Sequence, residues 1–194
     1  MNDAAVAVGR IFERLLVVRC QTGEAAALAE LIARYGPRLR FYLRKMTADS
    51  VADDLLQEVW IDVFAKIARL NDPESFAAWV YRIARDRAFR ELRRRRISTV
   101  AVDERVIDSA AMVGQDDEPR WSEEDVEQLR TALDELPIAQ REVLLLQFVE
   151  QMTYEQIAAV VGCPVGTVRS RIHHAKRALR AALERRIVGK DERT

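Results

Sequence analysis

Glycine and proline are scarce in this chain, at seven and five residues among 194. That scarcity excludes a fold built on many tight turns, and the few that occur punctuate long stretches of helical periodicity. Cysteine is scarcer still. Cys20 and Cys163 stand far apart without metal-ligand spacing, so neither a disulfide framework nor a thiolate metal site is expected. No apolar run approaches the roughly 20 residues of a membrane helix, and Met1, Asn2 and Asp3 do not open a basic-then-apolar leader. The expectation is a cytoplasmic protein with no membrane insertion. A glycine-rich phosphate loop and a nucleophile motif are also lacking, and the adjacent His173 and His174 cannot both point one way on a helix. No catalytic centre, metal or cofactor is therefore expected.

An excess of one charge sign is missing too, with 31 basic and 31 acidic residues, but the charge is sorted along the chain. From Arg82 to Arg96 the segment is strongly basic, opposed only by Asp86 and Glu91. From Asp103 to Glu127 it is strongly acidic, and from Arg169 to Arg186 basic again. What is present in quantity is apolar periodicity, with 49% hydrophobic and 32% charged residues, a globular balance. The spacing predicts an all-α chain. Helices are expected from about Ala4 to Arg19, Glu24 to Met46 (Gly36 and Pro37 kinking it), Val51 to Leu70, and Glu74 to Arg96. The period fades from Ile97 to about Arg120, where Gly114, Gln115, Asp116, Asp117, Glu118 and Pro119 read as a solvated linker. Helical patterning resumes over Trp121 to Leu136, Ala139 to Glu150, Tyr154 to Val161 and Val165 to about Ile187.

The sharpest local signal lies at Thr153, Tyr154, Glu155, Gln156, a capping box opening a helix that turns Ile157, Ala158 and Val161 inward. Gly162 can take the left-handed conformation that stops it, and Pro164 cannot continue it. A second helix then begins near Val165, with Val168 and Ile172 toward the core and Arg169, Ser170, His173, Lys176 and Arg177 outside. Small Ala158, Gly162 and apolar Val168 at this spacing resemble a helix-turn-helix. Such a second helix enters the major groove while its cations bind phosphates; the alternative is a helical hairpin with a solvated basic face.

Two other helices carry patterned polar faces. Arg82, Arg85, Asp86, Phe89 and Arg93 form one stripe that mixes cations with an aromatic, suited to nucleic acid, while Phe76, Trp79 and Tyr81 upstream read better as core. The four arginines from Arg93 to Arg96 exceed what a helix C-terminus needs to complement its dipole. On the preceding helix, Asp54, Gln57, Glu58 and Ile61 line a polar, acidic stripe opposite an apolar face, which by composition alone is a solvated surface. Two rival functions stand at this point: a self-sufficient repressor or activator that binds DNA as a symmetric dimer, and a metal-dependent nucleic-acid enzyme using those carboxylates.

Over nearly its whole length the chain resembles the extracytoplasmic-function sigma factors. Asp53, Asp54, Leu55, Leu56, Gln57, Glu58, Val59 is similar to that family's region two signature. The likeness implies that Asp53, Asp54, Gln57, Glu58 and Ile61 dock on the clamp of the largest subunit of core RNA polymerase. The run from Phe76 to Arg85 is similar to the stretch that melts and reads the minus-ten element, implying DNA contacts by Asn71, Asp72, Ser75, Trp79, Arg82, Arg85, Asp86, Phe89 and Arg93, with the loop from Leu70 to Ser75 helping to form a pocket for a flipped base. Leu133, Leu136, Pro137, Gln140, Arg141, Val143 and Leu144 with the helix-turn-helix are similar to region four. This implies minus-thirty-five contacts by Thr167, Arg169, Ser170, Arg171, His174, Lys176 and Arg177, and a polymerase contact at the flap. Asp86 stands where many members have asparagine, and an acid cannot donate the same hydrogen bonds; His174 stands where arginine is common.

The resemblance therefore implies region two over residues 1–96, a flexible acidic linker over 97–120 threading near the polymerase cleft, and region four over 121–194. The function it implies is promoter-specific initiation with core polymerase, without cofactor or catalytic centre, under the control of an anti-sigma partner as in many relatives.

Overall fold

The computed structural model describes the backbone of residues 3–98 and 123–191 and the side chains of 8–95 and 128–185. Every element among them is helical, and they fall into two compact units, each described by itself. The first contains α1 (Asp3–Gln21), α2 (Ala25–Met46), α3 (Asp49–Lys66) and α4 (Phe76–Ser98), with short 3₁₀ turns at Ile67–Arg69 and Pro73–Ser75 between α3 and α4. α4 thus runs two residues past the expected start of the linker, whose remainder, like Trp121, lies outside the described residues.

The core of the first unit is aromatic at its centre. Leu31, Tyr35, Leu39, Tyr42, Leu43 and Met46 form the buried stripe of α2. Tyr35 meets Phe76 edge to face at 5.2 Å, and Tyr42 meets Tyr81 at 5.3 Å, geometries in which a ring edge faces the electron-rich face of its partner. Phe76 and Tyr81 are fully buried, as expected of core aromatics, and Trp79 is half-buried. The expected inner faces are somewhat too wide: Leu28, Leu56, Trp60 and Ile83 are half-buried and Ile32 is exposed, because a 3.6-residue period turns the edge of each stripe out of the core. The kink expected at Gly36 and Pro37 does not divide α2, which continues from Ala25 to Met46. Pro37 and Ala33, whose carbonyl loses its partner to the proline, are both exposed, so water can satisfy that carbonyl.

The remaining elements are α5 (Glu123–Asp134), α6 (Ile138–Leu144), a π-helical turn (Leu145–Val149), α7 (Tyr154–Val161) and α8 (Val165–Asp191), and the second unit holds all of them but the last three residues of α7. The single helix expected over Ala139 to Glu150 is therefore interrupted. Glu142, Val143, Leu144, Leu145 and Leu146 are all buried, more than one face of a regular helix can hide, and Glu150 bonds back five residues to Leu145, which widens the final turn. The capping box is present: Thr153 Oγ1 accepts from Gln156 N at 3.3 Å, and Gln156 Oε1 accepts from Thr153 N at 2.9 Å. Gly162 takes φ +70, its N–H bonding Ala158 O at 2.9 Å. Ile157, Val160 and Val161 of α7 are buried, with Ala158 half-buried, and Val168 and Ile172 of α8 are buried as well.

Thr153→Ala removes the side-chain half of this cap. It is expected to cost about 1 kcal/mol and to lower the melting temperature of the α5–α8 unit by about 4 to 8 °C, a shift that circular dichroism checks.

Candidate functional site

The sequence-predicted residues lie on three surfaces. The first is the outer face of α3. Asp54, Gln57, Glu58 and Ile61 are exposed, Ile61 at 67%. Phe64, which the sequence reading passed over, is the most exposed large apolar side chain among the described residues, at 72%. Its signal was available, since it stands three residues beyond Ile61 and seven beyond Gln57, on the same stripe. Two of the expected acids are already engaged. Arg40 of α2 clasps Asp53 through two hydrogen bonds of 2.5 Å, and those bonds hold the Asp53 carboxyl below its ordinary range. Arg87 of α4 reaches Glu58 at 2.5 Å and Asp62 at 2.7 Å.

Arg87 is only 22% exposed and Asp62 15%. Burial pushes the Asp62 carboxyl up, but the hydrogen bonds from Lys66 and Arg87 outweigh it and keep the group below the usual carboxylate range. A depressed folded value means that the unfolded chain binds more protons. Stability from this network is therefore fully present above the ordinary carboxylate range and is lost as the pH falls through Asp62's lowered value. Arg87→Met should cost about 1 to 2 kcal/mol, between a surface pair and a buried one, and should flatten the acid limb of stability against pH. Urea midpoints across the acid range measure both effects. Beside this network lies a cleft between α3 and α4, lined by Asp54, Glu58, Arg87, Arg90, Glu91 and Arg94.

The second surface is α4 with the turn before it. Arg82, Asp86 and Arg93 are exposed, while Arg85, Phe89 and Trp79 are half-buried. The Arg85 guanidinium lies 4.3 Å from the Phe89 ring centroid, a cation–π contact that stiffens the stripe. The arginine block is less free than its sequence suggests. Arg94 and Arg95, though exposed, both bind Glu91 at 2.8 Å, and those bonds lower the Glu91 carboxyl's pKa; Arg93 is exposed beside them. In the preceding turn Asp72 accepts from Glu74 N at 3.0 Å, Ser75 Oγ donates to Asp72 O at 2.7 Å, and Asn71 and Asp72 are exposed. Asp72 and Ser75 thus shape the loop as well as presenting polar atoms.

The third surface is the outer side of α8. Arg169, Lys176 and Arg177 are exposed, and Thr167, Ser170, Arg171 and His174 half-buried. Arg169 lies over Tyr154 of α7 at 5.9 Å, and Lys176 over the exposed Phe148 at 5.0 Å. Ser170 Oγ donates to Thr167 O at 3.1 Å, and the rings of His173 and His174 meet edge to face at 5.6 Å. Arg141, part of the pattern before the helix-turn-helix, staples the α5–α6 junction by donating to Leu133 O, Asp134 O and Leu136 O. Among the described residues no group of three or more histidine, cysteine or carboxylate side chains could hold a metal ion, and no helix is long and apolar enough to cross a membrane.

Comparison with known proteins returns two family models in order along the chain, sigma-70 region 2 over residues 31–97 and sigma-70 region 4 over 126–179. The chain is 32% identical over 148 residues, 76% of its length and 80% of the relative's, to the ECF RNA polymerase sigma factor EcfG of Rhodopseudomonas palustris. It is 29% identical over 178 residues, 88% of its length and 93% of the relative's, to the ECF RNA polymerase sigma-E factor of Escherichia coli K12. Among solved structures it is similar to the sigma factor RpoE of Bartonella quintana, crystallised with the anti-sigma factor NepR. That match has TM-score 0.65 and 25% identity, and covers 80% of this chain and 96% of that one.

Proposed function

The chain belongs to the extracytoplasmic-function sigma factors of RNA polymerase, and from that membership we propose how its three surfaces divide the work of promoter-specific initiation. The protein binds core polymerase and directs it to promoters; sigma factors are not enzymes, and no catalytic group is assigned to this chain. We place region two in residues 1–96, the linker in 97–120 and region four in 121–194.

The outer face of α3 is the polymerase-docking surface. Asp54, Gln57, Ile61 and Phe64 present a central apolar pair with a polar flank, the anatomy of a protein interface, while Arg40 and Arg87 hold Asp53 and Glu58 at its margins. α4 and the Leu70–Ser75 loop read the minus-ten element. Arg82, Arg85 and Arg93 supply cations, Trp79 and Phe89 stacking surfaces, and the exposed Asn71 and Asp72 meet the flipped base. Asp86, an acceptor in place of a donor, gives a base preference unlike that of asparagine-bearing relatives. Region four sets α8 in the major groove of the minus-thirty-five element, with Thr167, Ser170 and His174 toward base edges and Arg169, Arg171, Lys176 and Arg177 toward phosphates. A polymerase contact at the flap falls to the same unit. Coupling two modest DNA contacts through polymerase raises the effective concentration of the second once the first forms.

The observation that carries this reading is the coexistence, in one chain, of an exposed acidic and apolar stripe on α3 with a capped helix-turn-helix. A repressor needs only the latter. Regulation by an anti-sigma partner, as in the Bartonella complex, and residence in the cytoplasm where polymerase works are part of the same proposal. Run-off transcription with purified core polymerase on a promoter library tests it: initiation dependent on this chain is expected, and failure to bind core or to start at any promoter overturns the reading.

A further inference from the structure

Gln21 is the last residue of α1 and lies far in sequence from every surface described above. Its half-buried side-chain amide crosses to the turn after α3, donating to Ile67 O at 3.0 Å and to Leu70 O at 2.7 Å, 46 and 49 residues away. Both amide hydrogens are used, one on each carbonyl, and Leu70 N also bonds Ile67 O at 3.1 Å. Surface loops usually leave such carbonyls to water. At the other end of the loop, Asp72 and Ser75 close the turn on itself, Phe76 is fully buried, and Arg14, also on α1, pairs with Glu74 at 3.1 Å. That last pair is exposed on both sides and contributes little rigidity. The entrance to the loop thus rests on α1 through packing that includes the buried Ile67, and Gln21 supplies the side-chain hydrogen bonds to its two carbonyls, leaving Asn71 and Asp72 exposed at its tip.

We propose that Gln21 is a positioning residue for base readout, holding the Ile67–Leu70 turn so that Asn71 and Asp72 meet the minus-ten base in a fixed geometry. The inference rests on the sigma reading of that loop. A polar site discriminates between bases only if its donors and acceptors are held still before the base arrives, since a loop that must be ordered on binding adapts to several. Gln21 touches no nucleic acid in this account and acts only through the two carbonyls.

The test uses holoenzyme reconstituted from the full chain and purified core polymerase. It transcribes a promoter library randomised across the minus-ten region, and base preference is counted position by position in the products. Gln21→Met keeps the size of the side chain and removes both donors, whereas Gln21→Lys retains a donor of similar reach. Gln21→Glu sets a carboxylate against two carbonyl oxygens. The expected result for Gln21→Met is a loss of about tenfold in preference at the loop-read position, the scale of one to two lost hydrogen bonds, with minus-thirty-five preference and core affinity unchanged. Gln21→Lys should stay near wild type and Gln21→Glu should fall at least as far as Gln21→Met. Unchanged preference in Gln21→Met overturns the proposal, as does a uniform loss that tracks weakened core binding. Should Gln21→Met fail to bind core, the Lys and Glu variants decide, and equal preference in those two overturns it. A wild-type chain that never initiates with core removes the sigma reading itself, and this inference with it.

Discussion

Phe76→Ala is expected to lower the stability of the α1–α4 unit by about 3 to 5 kcal/mol, the range for emptying a large aromatic site in a packed core. Phe76 is fully buried, edge to face with Tyr35 at 5.2 Å and 5.9 Å from Trp79. Its neighbours on α2 and α4 are held by their own helices and cannot close over the cavity. Small domains have only about 5 to 15 kcal/mol of stability in all, so the loss corresponds to a melting shift of roughly 15 °C or more. Because Phe76 ends the loop and starts α4, the variant should also bind core polymerase and melt promoters poorly at growth temperature. Hydrogen exchange on the full chain separates the units: amides of α2 to α4 lose protection while those of α6 to α8 keep theirs. A shift below about 5 °C would mean the cavity collapses, and the rigidity assigned to this core would be wrong.

The second large effect is on DNA. Neutralising Arg171 and Lys176 together, as Arg171→Gln and Lys176→Gln, should weaken promoter binding by the holoenzyme on the order of 100-fold, as expected for two charge-assisted contacts. Each phosphate contact releases condensed counterions, so the slope of log affinity against log salt should shrink by about 2. Lys176 is exposed and rests over Phe148 at 5.0 Å, a soft contact it can leave for a phosphate. Arg171 is half-buried, so part of its stem packs whether or not DNA is present. The loss should be uniform across promoter sequences, since phosphates carry no base identity. A slope unchanged from wild type excludes these two as phosphate contacts. A loss confined to certain sequences moves them to the base edges.

Much of the fold was legible because it is set locally. The helices around the Asn71–Asp72–Pro73 punctuation, the capping box at Thr153 and Gln156, and the left-handed stop at Gly162 depend on residues within a turn of one another. The two helices of the helix-turn-helix therefore start and turn where expected, at Tyr154–Val161 and from Val165, while α8 runs on to Asp191, past the expected end near Ile187. The turn from α6 into α7 did not announce itself, because its left-handed residue is Gln151, at φ +53, and not a glycine. Backbone bonds close it, Glu150 N to Leu145 O at 3.1 Å and Met152 N to Leu146 O at 3.0 Å.

By itself, the sequence determined an all-α chain, the approximate place of its helices, the family it joins, and which stripes carry charge. Which face of a stripe is free, and which charge is spent, only the tertiary structure decided. α1 is apolar nearly all round: Leu16, Val17 and Cys20 are buried, while Val8, Ile11, Phe12, Leu15 and Val18 remain exposed, and periodicity cannot rank one face above the other. Asp53 and Glu58 read as free docking acids until Arg40 and Arg87 arrive from other helices. Gln21 carried no signal at all, because its meaning lies in two carbonyls nearly fifty residues away. Propensity and capping act over a few residues, whereas ion pairing, burial and loop anchorage are settled by whatever the folded chain brings alongside.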